Sequence, residues 1–271
     1  MARSLDAYDG ISIASLIVYV PLLAGAIFIC LKHGFSRCSG WFFLNVLVLA
    51  RLIGSCLHLA TISQPEKEGL YTGWMILNGF GLGPLVLLLL ALLSRVFESI
   101  NRQGHVFVKP LCNQVIQALM FAAILLVVIG GTQSDFSFEN GAMQVKYSSA
   151  SRAGTAIMAA VVGLVGLEWL LALQKQGYVY QGEHRIILAV GFSLPFVIVR
   201  VVYSCLLVFG HQRPNAWMYL GMLVIPELVV AVALEALGFM LDRAPPTTVK
   251  EPGHSEEEHG IAFEERNDAK R

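Results

Sequence analysis

Long apolar runs alternate with short polar breaks along this chain. Seven stand out: Ile11 to Leu31, Trp41 to Ile62, Leu70 to Leu93, Leu111 to Ile129, Ala153 to Leu173, Ile186 to Phe209, and Ala216 to Leu241. Each is close to the roughly 20 residues that carry a helix across a bilayer. The pattern predicts an all-α fold, a seven-transmembrane-helix bundle forming one membrane domain over residues 1–243. Past Leu241 the chain turns to proline, charge and few large apolar groups, which predicts a disordered cytosolic tail over 244–271. The first run is too long for a signal-peptide core and no small-residue cleavage motif closes it, so it is expected to remain as the first span.

Loop charges set an orientation. The first, third and fifth loops carry Lys32 and Arg37, then Arg95, Arg102 and Lys109, then Lys175 and Arg185. The alternate loops carry fewer: Lys67, then Lys146 and Arg152, then Arg213. Positive residues favour the cytosolic side, so the N-terminus is expected outside or in a lumen and the C-terminus in the cytosol. Trp41, Tyr71, Trp74, Trp217 and Tyr219 fall near the expected span ends, where amphipathic rings form an interfacial belt.

Composition agrees with a membrane chain. Hydrophobic residues make up 56% and charged residues 14%, the latter about half the usual share. A formal net charge of +0 offers no basic footprint for nucleic acid. The five cysteines, Cys30, Cys38, Cys56, Cys112 and Cys205, have no metal-ligand spacing and read as buried free thiols. Neither a metal nor a cofactor is expected. Several functions are argued against by missing residues. The last span has no lysine for a retinal Schiff base, and the chain lacks the receptor triplet after span three, NPxxY, HExxH, histidine boxes and paired span-core aspartates.

The candidate chemistry lies in the charges that interrupt the runs. Arg200 in VIVRVVY, Arg51 in VLARLIG and Glu227 after Pro226 all fall near mid-membrane by residue count. An isolated arginine there costs roughly 3 kcal/mol on insertion scales, so such groups turn inward and pair. Counting outward from the short loop between spans six and seven puts Arg200 level with Glu227, and Arg200 or Arg51 is expected to pair with it. Ser193 and Ser204 share a stripe with Arg200, while Ser55 and His58 share one with Arg51. Two polar stripes facing an acid imply a wet or substrate-filled cavity, with Asn78 as a further binding residue. His58 taken alone reads as a packed, hydrogen-bonded histidine. Glu168 and Glu235 form a second acidic level nearer the cytosol, and Arg95 with Glu98 reads as an interfacial pair. The glycine-rich NGFGLGP of span three and Pro226 predict irregular backbone, which at membrane depth lines a cavity or is buried in protein.

HGFSRCSGW, LARLIGSCLHLATI and NGFGLGPLVL, within a match that spans nearly the whole chain except the tail, resemble a family of fungal seven-helix membrane proteins. Some fungal proteins of this size and architecture act in secondary-metabolite clusters, as terpenoid cyclases or as epoxide-opening enzymes on polyketides. The resemblance implies an integral membrane enzyme, a cofactor-independent cyclase or hydrolase, acting on a lipophilic small molecule beside neighbouring biosynthetic enzymes, with the endoplasmic reticulum as the expected membrane. In that scheme Glu227 is the held carboxylate, Arg200 or Arg51 keeps it ionised, and Glu168 or Glu235 donates the proton. The alternative is a transporter or sensor of lipophilic molecules, similar to fungal lipid-translocating, drug-resistance proteins. The same polar set is then a binding site, and the irregular helices are hinges.

Overall fold

A computed structural model describes residues 5–33, 39–64, 66–102, 110–139, 142–175, 183–210 and 215–241. Helix α1 (Ala7–His33) and α2 (Ser39–Ser63) are followed by α3 (Glu68–Phe80) and α4 (Leu82–Arg102), which together make the third span. Then come α5 (Pro110–Thr132), strands β1 (Asp135–Glu139) and β2 (Ala142–Lys146), α6 (Ser149–Gln174) and α7 (His184–Phe209). The last span is α8 (Ala216–Tyr219), a π-helical turn (Leu220–Val224) and α9 (Ile225–Met240). Among the described residues, seven helices are long and apolar enough to cross a membrane, as expected of a multi-pass integral membrane protein. The expected tail lies outside the described residues, as do Arg37, Cys38, Lys109 and Arg213.

The bundle is organised around α4. Residues 81–90 are all buried, and α4 packs on α2, α5, α6 and α7. The outer helices turn Ile17, Leu31, Leu125, Leu167, Leu188 and Ile198 away from the interior. A surface clad in large aliphatic groups suits lipid, which forms no hydrogen bonds with a side chain. The helix of span three runs nine residues beyond the apolar run that predicted it, and in that extension Arg95 meets Glu183 just before α7 (Nε to Oε1 3.3 Å). Arg95 thus reaches across the bundle to a partner that counting along its own helix did not offer.

Two irregularities fall where glycine and proline predicted them. Span three breaks at Gly81, whose N–H still donates to Leu77 O at 3.2 Å, so the chain turns without leaving the helical path. Pro84 sits in the first turn of α4, where its missing N–H costs little. In the last span, the Ile225 N–H donates to Leu220 O, a wider turn with one extra residue just before Pro226.

Some expectations fail. Of the five aromatic residues assigned to interfaces, Trp217 is exposed, whereas Trp41, Tyr71 and Tyr219 are buried and Trp74 stands in an aromatic cluster. Residue count locates span ends but not which way a ring turns, and these rings turn inward. Cys30 is disulfide-bonded, so the cysteines are not uniformly free. Cys56, Cys112 and Cys205 are free, and the first two are exposed rather than buried.

Candidate functional site

Arg51 on α2, Arg200 on α7, Glu227 on α9 and Asn78 on α3 each lie 9 to 12 residues from the same end of the bundle. At 1.5 Å per residue they share a level about 14–18 Å deep. Both arginines reach the carboxylate. Arg51 Nε donates to Glu227 Oε1 at 2.5 Å and its Nη2 donates to Oε2, a two-pronged grip. Arg200 Nε donates to the same Oε2 at 3.4 Å. The sequence offered one arginine or the other; the structure uses both.

Asn78 ties the two together. Its side-chain oxygen accepts from Arg51 Nη1 at 2.7 Å and from Tyr219 Oη at 3.3 Å, and its backbone carbonyl accepts from Arg200 Nη2. Arg200 Nη1 donates to Ser204 Oγ at 2.7 Å. Glu227 is fully buried, and Gly81 explains how this is possible. A Cβ there would stand 2.6 Å from Arg51 Nη2 and 2.9 Å from Glu227 Oε1, so any larger residue would occupy the pair's space.

Above this level, toward the end where the helices meet the β1–β2 hairpin, lies a cavity of about 110 Å³. Arg200, Asn78, Ser204, Tyr203 and Tyr219 form its charged and polar floor, and Met75, Val127, Met158 and Leu207 supply apolar walls. The hairpin side contributes Ser134, Val145 and Tyr147. A clasp holds that side shut: Ser134 Oγ and Ser148 Oγ both donate to Gly130 O, at 2.7 and 2.9 Å. Ser148 also caps α6 by accepting from the Ser151 N–H. Tyr147 lies outside the spans, and burial pushes its hydroxyl up to about 12.

The two polar stripes divide. Ser193 donates to Ala189 O in its own helix and does not join the network. His58 turns to α1, where its Nδ1 lies 3.1 Å from Ser12 Oγ and 3.4 Å from Asp9 Oδ1. Its ring also packs on Trp74, beside Tyr8 and Tyr219. Asp9, just before the first apolar run, is fully buried one helical turn from Ser12. Their three-residue spacing, facing a histidine stripe, was the available signal.

Glu235 lies eight residues beyond Glu227 on the same helix, about 12 Å deeper by helical rise. Its Oε1 fits against Gly25 of α1. Glu168 is at a similar depth on α6. Both are buried with one carboxylate oxygen lacking a hydrogen-bond partner, and neither borders the cavity. Among the described residues, no cluster of three or more His, Cys, Asp or Glu could hold a metal. A broader apolar groove of about 370 Å³ runs between α1 and the start of the last span, lined by Gly10, Ala14, Val18, Leu220 and Val224.

Over residues 5–244 the chain matches the family described as Domain of unknown function (DUF7702), and it belongs to that family. No curated protein matches it.

Proposed function

We propose that this member of the DUF7702 family binds a lipophilic small molecule in the hairpin-side cavity and serves as its carrier or sensor. What carries this reading is the make-up of the cavity: one charged, hydroxyl-rich floor under apolar walls, enclosed by six spans and the hairpin. Such a combination fixes the orientation of an amphiphile, with polar groups for specificity and apolar surface for affinity. With the N-terminus outside or in a lumen, as loop charges predict, the cavity lies on that side and the ligand enters from there or from the outer leaflet. The break at Gly81 and the π-helical turn flank the floor and supply the hinges that a carrier or sensor needs.

The enzymatic reading, acid–base cyclisation or epoxide opening, is the second. The partnerless carboxylate oxygens of Glu168 and Glu235 favour it, since a buried unsatisfied acid calls for a role. Against it, Glu227 is covered, has both oxygens held by arginine, and does not border the cavity. A general acid or base must come within hydrogen-bond reach of its substrate, directly or through one water.

The test is to reconstitute the purified chain in nanodiscs, incubate it with a mixture of polyketide and terpenoid metabolites, and analyse retained and free molecules chromatographically. Molecules retained unchanged support binding. A new isomer or hydrate that disappears with Glu168→Gln or Glu235→Gln replaces it with the enzyme.

A further inference from the structure

The charges of the buried trio do not cancel. Two guanidinium groups share one carboxylate, which leaves one positive charge at mid-membrane depth. Another carboxylate buried in that half, Asp9, faces His58 at 3.4 Å and accepts from the Asp6 N–H. A charge in a low-dielectric interior is expensive unless paired. Arg51 is spent on Glu227 and Asn78 and does not border the cavity, whereas Arg200 does. Of the five N–H donors on a guanidinium, Arg200 commits one to Glu227, one to Ser204 and one to the Asn78 carbonyl, so two remain.

A second unspent donor stands at the same cavity. Tyr8 borders it from α1, and its hydroxyl is buried with no hydrogen-bond partner. Serine and threonine hydroxyls from α6, on Ser151 and Thr155, complete the polar lining, although Thr155 already donates to Ser151 O at 2.9 Å. The cavity therefore presents unspent hydrogen-bond donors on Arg200 and Tyr8 beside a guanidinium whose charge the trio does not cancel.

Building on the binding reading above, we propose that the ligand of this cavity is an organic monocarboxylate, its head group bridging Arg200 and Tyr8 and its aliphatic part lying against Met75, Val127, Met158 and Leu207. One net positive charge matches a monoanion; a phosphate monoester would bring nearly two negative charges to a site with one to neutralise. The planar carboxylate also suits the paired N–H groups of a guanidinium. Water could satisfy the donors but would leave the charge uncompensated.

The experiment compares octanoate, 1-octanol and octylamine at pH 8 by calorimetric titration into nanodiscs holding the full chain, with empty nanodiscs subtracted. Saturable octanoate binding about 10-fold or more tighter than 1-octanol is expected from one charge-assisted contact. Arg200→Gln should abolish that preference, and Tyr8→Phe should weaken octanoate by about three- to tenfold. Should Arg200→Gln not fold, Tyr8→Phe decides: unchanged octanoate affinity overturns the proposal. Equal binding of octanoate and 1-octanol, or a preference for octylamine, overturns the carboxylate while leaving the binding reading intact. Absence of saturable binding by all three overturns both.

Discussion

Glu227→Gln removes the one negative charge of the trio while keeping its size and a carbonyl acceptor. Arg51 and Arg200, which now meet at the same carboxylate oxygen, would face each other unpaired. Removing one partner of a buried ion pair costs about 3–5 kcal/mol. Because this carboxylate serves two cations, the loss should fall at the upper end of that range. At about 2–4 °C per kcal/mol for a domain of this size, the unfolding midpoint should drop by roughly 10 °C or more. Arg51→Gln should be milder, since Arg200 and Glu227 remain as a neutral pair. The double variant should then be more stable than Glu227→Gln alone, because it carries one unpaired guanidinium instead of two. Thermal unfolding in nanodiscs, followed by tryptophan fluorescence, gives all three midpoints. Additive losses, or a Glu227→Gln midpoint within a degree or two of the parent, would refute the reasoning.

Gly81→Ala should lower stability by about 1–3 kcal/mol, the usual cost of overpacking, because its Cβ would crowd Arg51 and Glu227. Gly163→Ala and Gly166→Ala, in α6 with nothing nearby, should instead gain about 0.5–1 kcal/mol each from helix propensity; unfolding midpoints check both signs. Ser148→Ala removes the α6 cap and one side of the hairpin clasp, so a loss of about 1–2 kcal/mol is expected, together with faster amide exchange in β1 and β2. Tyr147 has a hydroxyl raised by burial, so its neutral form stabilises the fold below its unfolded value of 10. That contribution fades as pH rises toward about 12. Difference absorbance at alkaline pH between the parent and Tyr147→Phe should show a phenol titrating above the ordinary range.

The charged trio was legible because a cation inside an apolar run is rare and because residue counts fix depth in a spanning helix. Counting could not choose between Arg51 and Arg200, since both were at the right depth and the answer was both. The break at Gly81 was legible as irregular backbone, but its reason, room for an ion pair between three helices, needs coordinates. Tyr219 was assigned to the membrane interface because it lies close to a loop, yet it turns inward to Asn78. Asp9, at the edge of the first apolar run, is interior as well. The cavity was expected only in outline. Ser134 and Tyr147 come from a polar segment that reads as loop, and only the folded hairpin brings them over the site.

The π-helical turn alters the arithmetic of the last span. In an uninterrupted α-helix, residues eight apart such as Tyr219 and Glu227 point about 80° away from each other, at 100° per residue. One extra residue absorbed in the wide turn makes the effective separation seven, and the divergence shrinks to about 20°. Tyr219 and Glu227 thereby fall on one stripe, which lets a single helix hold the carboxylate of the trio and the phenol that reaches Asn78. The turn acts as a one-residue phase shift, joining two halves of a helix that would otherwise look in different directions. Tightening the segment 220–224 into a regular α-helix of unchanged length would undo that alignment, whereas deleting one residue from it would leave the two side chains seven apart and still on one stripe.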